Sequence, residues 1–174
     1  MIHAFLVLTG VLSLLLAQAS HAQSKITLKK GDDVVLVGSG MGSRMIHYGH
    51  FETEIFLRHP THDLTIRNLC DEGNTPGFRP HPSREQEEQY AFPGAKDLIH
   101  EDLKAQTKPK GQFPSPSQWL SDLHAEVILC FFGFNSSFDG PGQVGRFKKE
   151  LDAYLKHLSS MPFGVSTPQI GLLS

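Results

Sequence analysis

Short apolar runs alternate along the chain with stretches whose apolar residues recur at helical spacing. Four of these runs are predicted strands, at residues 34–37, 64–69, 127–132 and 170–173. Unbroken apolar runs rich in valine and isoleucine are typical of parallel strands that are buried on both faces of a sheet. Strands that alternate with helices predict an α/β fold, a three-layer α/β/α sandwich around a parallel sheet.

The clearest predicted helix spans residues 144–158. Its apolar residues repeat at helical spacing, which gives the helix one side to bury against the sheet. The charged residues Lys148, Lys149, Glu150 and Lys156 are predicted to face away from that side.

A second helix is predicted at about residues 43–58, where Pro60 prevents its continuation. His47 and His50 fall on one face of this helix. Neither an acid nor a third ligand is placed to complete a metal site, so a solvated face is the preferred interpretation. No metal and no other cofactor is expected for the chain.

A long polar insertion occupies about residues 78–118 and is rich in Pro, Gln, Glu and Lys. An unbroken loop of this length would be unusual in a compact domain. We therefore predict short helices within it, at residues 94–105 and 116–123. Trp119 and Leu120 are expected to dock the second of these helices onto the sheet.

The composition fits one globular domain. The chain has 174 residues, of which 39% are hydrophobic and 20% charged, which is enough for a single core. Its formal net charge is −2 and it has no basic stripe, which argues against a nucleic-acid partner. Two cysteines cannot form a disulfide scaffold, so Cys70 in a loop and Cys130 in an apolar run are predicted to be free thiols.

Residues 1–22 are predicted to be a signal peptide. The stretch at 5–16 is almost wholly apolar, short for a membrane span and suited to a signal h-region. Residues 20–22 (Ser-His-Ala) offer small side chains for cleavage, which leaves residues 23–174 as the mature chain. We expect export to a periplasm or the exterior, with no membrane span after signal removal; an uncleaved anchor is the alternative.

The turn after the first predicted strand contains Gly38, Gly40 and Gly42, and it permits several interpretations. A dinucleotide-binding fingerprint needs glycines at G-x-G-x-x-G, but Ser43 stands at the third glycine position. A phosphate-binding loop would need a lysine, which this turn lacks. The remaining interpretations are a plain strand-to-helix turn and the serine loop of a hydrolase.

Three polar loops each follow a predicted strand, at residues 38–40 (Gly-Ser-Gly), 72–74 (Glu-Gly-Asn) and 133–135 (Gly-Phe-Asn). The carboxyl ends of parallel strands open on one edge of a sheet, where ligands bind. We therefore predict that the three loops frame one site.

The three loops resemble the sequence blocks of SGNH (GDSL-type) hydrolases, which carry a serine, an oxyanion glycine and an oxyanion asparagine. The resemblance implies that Gly40 stands at the nucleophile position, that Gly73 supplies an oxyanion N–H and that Asn135 supplies an oxyanion amide. Since Gly40 has no side chain, Ser39 is the alternative nucleophile. The Asp-x-x-His block that supplies the base in this family has no counterpart up to Ser174.

Further segments resemble one subgroup of that family. It is the SGNH-like domain at the front of large exported proteins of planctomycetes, verrucomicrobia and their relatives. The matching segments are residues 35–44, 51–53, 67–69, 79–84, 91–95, 118–120 and 132–138. The resemblance covers nearly all of residues 23–174 and implies a flavodoxin-like sheet that is incomplete at its C-terminus.

The resemblance also implies a function and partners. The expected activity is hydrolysis or recognition of an acyl ester or glycan ligand, on extracellular carbohydrate. The partners that the resemblance implies are downstream dehydrogenase-like and haem-binding domains of a longer protein. Because the chain stops at the fourth predicted strand, we expect either that it is a fragment of a longer protein or that another segment finishes the sheet. The alternatives are a non-catalytic glycan-binding module and a structural cap on those domains.

Overall fold

The computed structural model of the chain describes residues 25–85, 87–104 and 113–173, so the predicted signal peptide lies outside the described residues. The strands are β1 Asp33–Gly38, β2 Thr65–Asn68, β3 Val127–Phe131 and β4 Gln169–Leu172. The α-helices are α1 Gly40–Met45, α2 His50–Arg58, α3 Glu101–Lys104, α4 Pro116–Asp122, α5 Phe134–Ser137 and α6 Val144–Ser160. Short 3-10 turns lie at Glu87–Gln89, Ala95–Asp97 and Pro141–Gln143.

The strands form one parallel sheet in the order β2-β1-β3-β4. In the register of β1, Val34 lies opposite Ile66 of β2 on one side and Val127 of β3 on the other. β3 is buried along its whole length, and β1 is buried after Asp33. Because a parallel sheet needs cover on both faces, the longest apolar runs occupy its two central positions. The predicted parallel α/β fold is confirmed.

Helices and loops cover both faces of this sheet. On one face Val35 packs in a layer that includes Leu120 of α4 and Tyr154 of α6. On the other face Val34 packs in a layer bordered by Phe51 of α2. Neighbouring residues of a strand point to opposite faces, so one apolar run supplies both layers. This is the three-layer arrangement that the sequence predicts.

The helix predicted at residues 43–58 is two helices, α1 and α2. Gly49 stands between them with φ +61°, a left-handed backbone conformation that glycine adopts without a steric penalty. The chain can therefore turn after α1 and start a new helix at His50, which separates that residue from His47. α2 ends before Pro60, as predicted.

The described part of the insertion at residues 78–118 consists of short elements. An antiparallel bridge joins Phe78 to Tyr90. The helix predicted at residues 94–105 is instead a 3-10 turn followed by α3. The helix predicted at residues 116–123 is confirmed as α4.

Only one of the two residues predicted to dock α4 onto the sheet does so. Leu120 is buried in the layer above the sheet. Trp119 instead lies edge-to-face with Phe113, with 4.8 Å between the ring centroids. Adjacent residues on a helix point about 100° apart, so the two side chains cannot share one direction.

β4 is an edge strand of the described sheet, and its side chains are half-buried or exposed. It pairs in parallel with β3, with Gln169 opposite Val127. The expectation of a fourth strand is confirmed, but the strand is not the buried one that was expected. Beside it, a wide groove on the α2 face is lined by Ile26, Phe51 and Leu129, among others.

No helix in the described ranges has the length and apolar character to cross a bilayer.

α6 lies where the clearest helix was predicted, but one of the residues predicted to face solvent does not do so. Glu150, predicted to face solvent, is fully buried. One oxygen of its carboxylate accepts a hydrogen bond from the Thr75 hydroxyl at 2.6 Å and another from the Gly77 N–H at 2.7 Å. The reason is tertiary: the loop after β2 lies against this face of α6 and brings donors that need an acceptor.

The two cysteines are buried free thiols, as predicted. Burial raises the pKa of both Cys70 and Cys130 to about 12, from an ordinary 9.0. The thiolate is the reactive form, and a raised pKa lowers its fraction at about pH 8. We expect iodoacetamide to label the folded chain at least about tenfold more slowly than the chain in concentrated urea. Equal labelling rates would show that the thiols are accessible in the folded state.

Candidate functional site

The three loops predicted to frame a site meet at the carboxyl edge of the sheet. The side-chain amide of Asn74 donates to the carbonyl oxygens of Gly38 at 3.0 Å and of Leu69 at 3.4 Å. The side-chain amide of Asn135 donates to the carbonyl oxygen of Asn74 at 3.3 Å. These bonds connect the loops that follow β1, β2 and β3. We refer to Gly38, Asn74 and Asn135 as the amide rim.

Ser39, the alternative nucleophile, has its hydroxyl bonded to the backbone of β3. The residue is fully buried, and its hydroxyl donates to the Phe131 carbonyl oxygen at 3.3 Å. Its backbone N–H donates to the same oxygen at 2.8 Å. A nucleophilic serine needs a base within hydrogen-bond reach, and this hydroxyl has no histidine partner among the described residues.

Gly40, the position at which the resemblance places the nucleophile, lies beneath the ring of Phe134. A Cβ atom built on Gly40 would be 3.0 Å from Cδ1 and 3.3 Å from Cε1 of that ring. Contacts this short would force the ring to move. Neither Gly40 nor Ser39 therefore presents a nucleophilic side chain at the rim.

Gly73 lies at the surface of the loop that follows β2, where an added Cβ would be 3.1 Å from Cγ of Pro80. Its neighbour Asn74 is buried and makes the hydrogen bonds that hold the rim together. The sequence interpretation assigned a role to Gly73 and none to Asn74. An asparagine in a glycine-containing loop often forms a hydrogen bond between its side chain and a nearby backbone group. Its acceptor on Gly38, however, is distant in sequence and becomes visible only in the fold.

Two exposed aromatic rings adjoin the rim. Phe134 is 51% exposed and Phe138 is 76% exposed. Their rings lie edge-to-face, 5.2 Å apart between centroids. The four-residue spacing places both on one side of the short helix α5, which also carries Asn135. The rim thus combines a polar amide with an adjacent apolar pair.

A serine–histidine contact occurs elsewhere, between Ser117 of α4 and His157 of α6. Their Oγ and Nε2 atoms are 2.9 Å apart, and the hydroxyl also lies 3.3 Å from the Ala91 carbonyl oxygen. His157 packs against the rings of Phe92 and Phe163, and burial lowers its pKa. A catalytic pair needs a third group that orients the base, and no acid contacts this imidazole in the described part of the chain. The contact thus joins α4 to α6, with the single hydroxyl hydrogen of Ser117 donated to the Ala91 carbonyl oxygen.

Within the described residues, no three His, Cys, Asp or Glu side chains are grouped as metal ligands. The groups that this site presents are its amides, its aromatic rings and its backbone. Comparisons of the chain with protein-family models, with curated proteins and with solved structures find no match.

Proposed function

We propose that the chain is an SGNH-hydrolase-like domain of an exported protein, and that it recognises acylated carbohydrate without cleaving it. The observation that supports this proposal best is the amide rim. Its loops correspond to those that hold an oxyanion in a hydrolase, but they surround positions that present no nucleophile. Polar donors without a nucleophile favour binding over catalysis.

The chemistry of Asn135 suits the carbonyl group of an acyl ester. A side-chain amide has two N–H donors and one acceptor oxygen. One N–H bonds to Asn74, whereas the second N–H and the amide oxygen have no partner among the described residues. They are free to bond an acetyl carbonyl or a sugar hydroxyl at the rim.

Phe134 and Phe138 supply the apolar part of the proposed ligand site. Exposed aromatic side chains beside a few placed polar groups are typical of ligand sites. An acyl methyl group or the apolar face of a sugar ring would pack on the Phe138 ring, which is the more exposed of the two. In the longer proteins that the sequence resembles, such a domain would hold a glycan for the downstream dehydrogenase-like and haem-binding domains.

Calorimetric titration of the full chain tests the proposal, with acetylated xylo-oligosaccharides and the same oligosaccharides after chemical deacetylation as probes. We expect the acetylated probe to bind about tenfold more tightly than the deacetylated one. Asn135→Ala and Phe138→Ala should each weaken its binding by about tenfold. Phe56→Ala removes a 43% exposed phenylalanine from α2 and is the matched control, so it should bind like the unmodified chain.

Hydrolysis of p-nitrophenyl acetate distinguishes recognition from catalysis. The unmodified chain should release p-nitrophenol no faster than Ser39→Ala does. Release that disappears in Ser39→Ala would identify an esterase and overturn the proposal. Failure of the folded chain to bind either oligosaccharide, or binding unchanged in both rim variants, would also overturn it. Circular dichroism of each variant confirms that it is folded.

A further inference from the structure

A cavity of about 220 Å³ lies between the sheet, the insertion, α4 and α6. Its wall combines aromatic side chains, Trp119 and Tyr154, with three basic ones, Arg79, His81 and Arg84, and with one acidic residue, the exposed Asp71. Sites for drug-sized ligands have volumes of about 300–1,000 Å³. This cavity therefore suits a ligand of monosaccharide size or smaller.

Two arginines of this cavity are buried without an acidic partner. Arg79 and Arg84 are each only 4% exposed. Neither forms an ion pair with a carboxylate of the described residues. Charged side chains are rarely buried unless an opposite charge or a full set of hydrogen bonds accompanies them.

The hydrogen bonds of these arginines leave N–H donors unused. Arg84 donates to the carbonyl oxygens of Pro114 at 2.7 Å and of Arg79 at 2.9 Å. Arg79 donates from Nη1 to the Phe78 carbonyl oxygen at 3.4 Å. Its Nη2 is buried and has no hydrogen-bond partner in the part of the chain that the structure describes. A guanidinium carries five N–H donors, so the pair can still donate to a ligand.

The positively charged side chains in the cavity wall also repel one another. Burial, together with the charge of Arg79, lowers the pKa of Arg84 to about 10. Burial and the charge of Arg84 lower the pKa of His81. The carboxylates that oppose these shifts, Glu88 for Arg84 and Asp71 for His81, belong to exposed residues.

Aromatic rings offset only part of this unfavourable burial. The Arg79 guanidinium lies 4.5 Å from the centroid of the Phe132 ring and 5.0 Å from that of Tyr154. The Arg84 guanidinium lies 5.4 Å from the centroid of the Trp119 ring. Cation–π contacts are weaker than the penalty for removing a cation from water, so a negative charge is still favoured here.

We propose that the cavity between Arg79 and Arg84 binds a small molecule that carries a carboxylate, sulfate or phosphate group on a ring of monosaccharide size. The guanidinium fork matches the oxygens of all three groups. The ring of the ligand would pack on Trp119. Asn74 of the amide rim also lines this cavity, but Asn135 and Phe138, which would contact the acylated ligand, do not, so this inference does not depend on the proposed function.

The fluorescence of Trp119 can report ligand binding, because Trp119 is the single tryptophan of the chain and lies in the cavity wall. The full chain is titrated with glucuronate, glucose 6-sulfate and glucose 6-phosphate at constant ionic strength, with glucose as the neutral control. We expect at least one of the anionic sugars to change the tryptophan fluorescence with a Kd below about 1 mM. The same sugar should raise the melting temperature, and glucose should do neither.

Variants then assign the binding to the arginines. Arg79→Gln and Arg84→Gln should each weaken binding by about tenfold or more. Arg58→Gln is the matched control, because the Arg58 side chain is 75% exposed on α2, pairs with Glu54 and does not line the cavity. If a glutamine variant does not fold, the corresponding lysine variant keeps the charge and removes the forked geometry, so it should still bind more weakly.

Two results would overturn the inference. One is that none of the three anionic sugars acts more strongly than glucose on the unmodified chain. The other is that folded variants at Arg79 and Arg84 bind as tightly as Arg58→Gln does. Either result would show that these arginines only hold the insertion against the sheet.

Discussion

Replacing Gly38 by alanine is expected to lower the free energy of unfolding by about 4 kcal/mol, from backbone strain together with overpacking. Gly38 ends β1 with φ +146°, and a Cβ atom there would lie 2.3 Å from the Phe131 carbonyl oxygen. That oxygen belongs to the backbone of β3 and cannot move without disturbing the sheet. Urea unfolding followed by circular dichroism measures the loss.

Gly31→Ala is the matched control for this prediction. Gly31 also has a positive φ, +86°, but nothing lies within 4 Å of a Cβ built on it. Gly31→Ala should therefore lower the free energy of unfolding through backbone strain alone, by about 1–2 kcal/mol. Equal losses in the two variants would mean that the close approach of β1 to β3 contributes nothing, which would contradict the prediction.

Glu150→Ala is expected to lower the free energy of unfolding by about 3 kcal/mol, because hydrogen bonds to a buried charged group contribute about 1.5–3 kcal/mol each. The substitution leaves the Thr75 hydroxyl and the Gly77 N–H without their acceptor. It also removes an ion pair in which Nη1 of Arg146 lies 3.7 Å from the carboxylate. Because the loop that carries Asn74 is held by this carboxylate, binding at the amide rim should weaken as well.

Two further variants separate charge from hydrogen bonding. Glu150→Gln keeps an acceptor oxygen for Gly77 and loses the charge, so it should be destabilised by only about 1 kcal/mol. Asp152→Ala lies on the same helix with a side chain 64% exposed and paired to Lys156, so it should change stability by less than about 0.5 kcal/mol. A loss for Glu150→Ala no larger than that of Asp152→Ala would contradict a structural role of the buried carboxylate.

The sequence predicts most of the framework because burial on both faces leaves a local signature. β1 and β3 lie where unbroken apolar runs occur, and α6 lies where apolar residues repeat at helical spacing. The break between α1 and α2 was not predicted. The amphipathic pattern continues through this break, and the two helices are separated by the left-handed conformation of Gly49.

The candidate site is predictable in its location and not in its chemistry. Loops after parallel strands open on one edge of the sheet whatever their residues are, so the convergence of Gly38 and Asn135 follows from the strand pattern. The direction of the Ser39 hydroxyl depends on the Phe131 carbonyl oxygen, which is distant in the chain. Sequence position alone therefore could not show which of these residues presents a reactive group.

By itself, the sequence determined the order of strands and helices, the parallel sheet and the edge at which its polar loops meet. These depend on periodicity and on short-range turn chemistry, which neighbouring residues carry. Only the tertiary structure decided that Glu150 is buried, that Asn74 links the rim, and that Arg79 and Arg84 share a cavity in which neither pairs with a carboxylate of the described residues. The physical reason is that burial and hydrogen bonding of polar side chains depend on partners far along the chain, which no local pattern specifies.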